Sequence, residues 1–178
     1  MEIDELFGLP AHPLIVHAAL ALVPAAAVLT VVAAFWPSAR RRIGWVGVLL
    51  AALAVLTVWM AQGSGEELVH QVDETHLVEE HAELGDQMLI PAIALLVGAV
   101  LVTAVGRRGS GVARTDDAPV GAYATQGAGA LTVIVAVVAL ATSGYAVVQV
   151  ARVGHSGAKA VWDESGPEGQ ERDNRGPG

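Results

Sequence analysis

Four apolar runs, each about the length of a membrane crossing, leave this chain little choice of fold. They extend from Leu14 to Trp36, Ile43 to Ala61, Met88 to Val105 and about Ala128 to Val150. A helix crosses a hydrocarbon core of ~30 Å with ~20 residues, so the third run suffices only if its helix continues outward. The runs are rich in Ala, Val and Leu and too long for strands. Lipid offers no partner to backbone polar groups, and helices satisfy theirs internally. Short connections make consecutive helices antiparallel neighbours. The expectation is an all-α membrane protein: an antiparallel bundle of four transmembrane helices, the third extended outward. Ala94 and Gly98 are spaced for close helix contact. With 53% of residues hydrophobic and 16% charged, a large soluble catalytic domain and general disorder are both excluded.

The four-helix transmembrane domain is expected over residues 1–162. A polar tail over 163–178, rich in Gly, Pro and charge, reads as disordered. The start, MEIDELFGLP, is acidic where a signal peptide is basic. Orientation follows from the loops. Arg40, Arg41 and Arg42 occupy the first, and Arg107, Arg108 and Arg114 the third. Excess Lys and Arg mark the cytoplasmic side. The second loop, Gly63 to Gln87, has eight acidic residues and no Lys or Arg. Both termini and this loop are therefore expected outside, in a bacterial inner membrane. The net charge of −8 argues against a nucleic-acid partner.

No cysteine is present, which removes disulfides, thiolate metal sites, iron–sulfur clusters and covalent haem attachment. Walker loops, dinucleotide fingerprints and zinc-protease motifs are absent from the sequence too. All six histidines (His12, His17, His70, His76, His81 and His155) fall at the expected outer end. Imidazole is the commonest metal ligand, and bundles build cofactor sites between facing helices.

In HPLIVH, Pro13 suits a helix start, and the residue before a proline is biased toward extended backbone. His12 is thus expected at the helix mouth. His17 lies about one turn deeper among apolar residues. An ionisable group there is costly and is expected to face the bundle interior. The acidic loop reads largely as helix, with His70, Glu74, Leu77 and His81 on one stripe. Glu67-x-x-His70 matches a di-iron spacing only weakly, since the spans supply no further Glu.

In VGHSGAKAVW, small residues around His155 would let a flat ligand or another helix approach. Arg152 and Lys159 would pair with carboxylates such as haem propionates. Candidate cofactor ligands and partners are therefore His17, His81, His155, His12, Arg152 and Lys159. For a metal ion they are His17, His81 and His155 with Glu80. His81 is the first choice to oppose His17. Each histidine also has a plainer reading, as an interfacial side chain bonded to a carbonyl or water. Gln62, Ser64, Tyr145 and Gln149 are candidate supporting partners or interhelical glue.

The opening GLPAHPLIVHAALALVPAA resembles the start of a bacterial membrane family catalogued as domain of unknown function 2231. The four spans, the histidine-bearing acidic loop and GHSGAKAVW resemble it too, over about Leu9 to Trp162. Where many members have Phe and Pro after the second histidine, Ala18 and Ala19 follow His17 here. The resemblance implies a four-span fold and no particular activity.

The leading functional expectation is a membrane protein binding haem b or a transition metal for electron transfer. Its partners would be the lipid bilayer and an extracytoplasmic or membrane redox protein. The alternative is a non-catalytic structural or partner-binding subunit. A small transporter is third, weakened by the scarcity of ionisable residues at mid-depth.

Overall fold

The computed structural model describes residues 5–6, 9–69, 75–111 and 124–165, with side chains for 12–65, 75–107 and 129–162. Among these residues, two short strands, β1 (Glu5–Leu6) and β2 (Leu9–Pro10), pair antiparallel. Five helices follow: α1 (Ala11–Phe35), α2 (Pro37–Val69), α3 (His76–Asp86), α4 (Leu89–Gly111) and α5 (Ala124–Ser165). Helices α1, α2, α4 and α5 are long and apolar enough to cross a membrane. They form a ring in which each packs on its chain neighbours and α5 closes onto α1. The protein is an integral membrane protein with the expected four-helix bundle.

Local chemistry sets the turns. Trp36 alone separates α1 from α2. Pro37, at the first position of α2, has no N–H to leave unsatisfied. The Trp36 N–H donates to Val32 O at 2.9 Å, and Trp36 O accepts from Arg40 N at 2.9 Å. Thr75 caps α3, its side chain accepting from Val78 N at 3.4 Å. Only Gln87 and Met88 separate α3 from α4. There Gln87 N donates to Glu83 O at 3.3 Å and Met88 N to Gly85 O at 3.0 Å. The outward extension of the third span thus exists as α3, set off by a short turn. The α3 helix packs mainly on α5.

The interior is built of small side chains. Ala26, Ala27, Ala51, Ala54, Ala92, Ala99, Ala139 and Ala146 are buried around Val23, Val58, Leu95 and Val102. At Gly98 a Cβ would lie 2.6 Å from Thr142 Oγ1 and 3.6 Å from Ala139 Cα. That position needs glycine for α4 and α5 to meet as they do. The large residues Val28, Leu49, Leu56, Ile90, Val97, Val133, Ile134 and Leu140 are exposed. This outward display of large apolar groups is what a lipid-facing surface requires.

Two of the helices run beyond the apolar runs. The helix of the second span continues past Ala61 to Val69. The fourth likewise continues past Val150. Helix α5 includes Asp163, Glu164 and Ser165 in its last turn. Residues 166–178 lie outside the described residues.

Candidate functional site

The acidic end of the bundle brings two histidines together from different helices. His12 stands in the first turn of α1 and His81 in the middle of α3. Both are half-buried at the same end of the bundle. His12 was expected to be extended before Pro13, yet α1 already includes Ala11 and His12. Contacts to α2 override the local bias: His12 Nδ1 lies 3.1 Å from Ala61 O and 3.0 Å from Ser64 Oγ.

These contacts favour one tautomer of the neutral ring. A carbonyl oxygen only accepts, so His12 Nδ1–H donates to Ala61 O. Ser64 Oγ donates to the same carbonyl at 3.1 Å. His81 follows the same logic through one more link. Ser156 Oγ donates to Val153 O at 3.0 Å, so its oxygen accepts from His81 Nδ1–H at 3.0 Å. In both neutral rings the lone pair is then on Nε2. A ring N–H held by an oxygen while the other nitrogen is free is the arrangement of ligating histidines.

Glycines admit both rings. A Cβ on Gly65 would meet His12 Cε1 at 3.0 Å, and one on Gly157 would meet His81 Cε1 at 2.9 Å. Gln62 of α2 ties down the end of α3, its Nε2 donating to Gly85 O at 3.1 Å and Asp86 O at 2.9 Å. Helices α1, α2, α3 and α5 all contribute to this mouth. The face of α5 that receives His81 also buries Gln149, one turn below Val153.

The other candidates stand apart. His17 was expected to face the bundle interior, and this is corrected. Five residues along a helix turn a side chain about 140°, so with His12 at the mouth, His17 is directed outward. It is exposed, and its Nδ1 bonds Pro13 O of the preceding turn at 2.6 Å. His155, Arg152 and Lys159 lie on the exposed side of α5, and Glu80 and His76 are exposed on α3. Among the described residues, no group of three or more His, Asp or Glu side chains could hold a metal ion. The ring that shares the mouth with His81 is therefore His12. His70 and Glu74 lie outside the described residues, as do the side chains of Glu66 and Glu67. The proposed stripe through His70 and Glu74 is thus out of view.

A family model described as "Predicted membrane protein (DUF2231)" matches residues 8–166. The chain belongs to the DUF2231 family. No curated protein and no solved structure matches this DUF2231 protein. The match covers every residue of the histidine mouth, from His12 to Gly157.

The sequence offered Ser64 and Gln62 as supporting partners or glue and gave no sign of Gly65. It is one small residue after a polar hydroxyl, at a span end. Which histidine it would receive depended on how the helices pack.

Proposed function

We propose that this DUF2231 protein holds haem b or a transition-metal ion at the His12–His81 mouth and serves electron transfer at the outer membrane surface. One observation carries the reading. Two imidazoles from different helices stand at the same end of the bundle, each with Nδ1 engaged by an oxygen and Nε2 available to a ligand. Two histidines from different helices are donors that would hold a b-type haem. The same two donors suit a bare Zn, Cu or Fe ion, with water completing the set. When bound, haem or a redox metal would supply the one-electron chemistry.

The chain's own residues would orient the rings. Ala61, Ser64, Val153 and Ser156 hold Nδ1, and Gly65 and Gly157 give the rings their places. Arg152, Lys159 and His155 on the adjoining face of α5 are candidates to pair with propionates or an acidic redox partner. His17, exposed one turn below the mouth, is a weaker ligand candidate than His12.

A second reading is favoured by the same hydrogen bonds. His12 ties α1 to α2, and His81 ties α3 to α5, so both could be purely structural clasps. One experiment separates the two. Protein is purified from haem- and metal-replete cells, and its spectrum and metal content are measured. The cofactor reading expects a Soret band that shifts on reduction, or stoichiometric metal. Either should be lost in His12→Ala and His81→Ala and kept in His17→Ala and His76→Ala. Colourless, metal-free wild-type protein supports the clasp reading and sinks the first.

A further inference from the structure

The end of the bundle opposite the histidines carries a cavity of about 190 Å³ between the start of α2 and the end of α4. Arg40, Arg41, Trp45, Thr103, Gly106 and Arg107 line it. We propose that it binds the phosphate-bearing headgroup of an anionic phospholipid.

The lining supplies three guanidinium groups from two helices and no carboxylate. Arginine matches a phosphate with a planar fork of N–H donors, often two at once. The volume is below the ~300–1,000 Å³ of pockets for drug-sized ligands and suits a headgroup. Two features make the cavity a built one. At Gly106 a Cβ would lie 2.6 Å from Arg40 Cδ and 3.1 Å from Arg40 Cγ. A side chain there would push the Arg40 stem off α4. Thr103 Oγ1 reaches Ala99 O at 2.9 Å and Gly44 O at 3.2 Å, which joins α4 to α2 beneath the arginines.

The surroundings favour a lipid over a free phosphate. Trp45 is exposed, as are Trp36 and Phe35 at the adjoining turn. Aromatic rings at this level mark the membrane–water interface. Exposed Leu49, Val100 and Leu101 continue along α2 and α4 into the lipid-facing surface, where acyl chains would lie. Basic pockets between transmembrane helices are known to take anionic headgroups.

The test is native mass spectrometry of the full chain in detergent. It is titrated with phosphatidylglycerol, phosphatidylcholine or inorganic phosphate. The expected result is tighter retention of phosphatidylglycerol than of either other probe. That preference should fall about fivefold in Arg41→Gln and about 30-fold in Arg41→Gln/Arg107→Gln. Arg41 and Arg107 are exposed, and Arg40, whose stem is packed, is left in place. Arg42→Gln removes an equal charge next door, outside the lining, and should keep the preference. Equal retention of phosphatidylcholine or inorganic phosphate overturns the proposal. So does an equal loss in Arg42→Gln and Arg41→Gln, which would mean diffuse charge attraction. If the double variant fails to fold, the comparison of the two single variants decides.

Discussion

At the scale of single residues, the histidine mouth depends on what is missing at Gly157. Adding a methyl there places Cβ 2.9 Å from His81 Cε1, so the ring must move and its bond to Ser156 is lost. Gly→Ala within a helix gains roughly 0.5–1 kcal/mol of helix propensity. The lost hydrogen bond costs about 0.5–1.5 kcal/mol. Gly157→Ala should therefore change thermal stability in detergent by less than about 1 kcal/mol, while the His81 imidazole resonances shift clearly in NMR. Unshifted His81 resonances would show that the ring does not rest on Gly157. Thr30 poses a different question. Thr57, Thr103 and Thr142 each return their hydroxyl to a carbonyl of the preceding turn. Among the described residues, buried Thr30 Oγ1 has no partner, and neither has Ser143 Oγ. An unmet buried hydroxyl costs about 1–3 kcal/mol. Thr30→Val keeps the shape and should raise the unfolding midpoint, a gain of about 1 kcal/mol. The same change at Thr57 removes a made bond and should not. The sequence could not separate these threonines, nor His12 from His17. A helix apolar on all sides has no periodicity to tell bundle from lipid.

Among the elements, the spanning helices were legible, because a run of ~20 apolar residues has few other uses. Their ends were not. Polar helix formers carry α2 and α5 beyond the apolar runs, and only tertiary contacts justify those extra turns. The α3 helix shows why. None of its residues is buried, and a lone 11-residue helix is marginal in water. It persists because α5 receives His81 and because Gln62 Nε2 ties α2 to the carbonyls of Gly85 and Asp86 at the end of α3. Gln62→Ala removes both bonds, a loss of about 1–2 kcal/mol. Local opening should become easier without global unfolding. Amide hydrogen exchange over residues 76–86 is expected to quicken about tenfold, with α1 and α4 unchanged. Equal acceleration throughout the bundle would mean that Gln62 supports the whole fold rather than the docking of α3.

The whole molecule is polarised along the bundle axis. One end gathers His12 and His81 with exposed Glu79, Glu80, Glu83 and Asp86. The other gathers Arg40, Arg41 and Arg107 around a cavity. Between them lies an Ala-packed interior inside an apolar surface. The excess of Lys and Arg expected on the cytoplasmic side gives such a molecule one expected direction, with the arginine-bearing end in the cytoplasm. The acidic loop contributes little to orientation, so the arginines decide. Single-cysteine variants test this without background, because the chain has no cysteine of its own. Ser38 and Glu83 are both exposed, at opposite ends. In intact cells a membrane-impermeant maleimide should label Glu83→Cys and spare Ser38→Cys until the membrane is opened. The reverse pattern would place the histidines on the cytoplasmic side. Any cofactor held there would then exchange electrons with cytoplasmic partners, and the arginine cavity would meet the lipids of the outer leaflet.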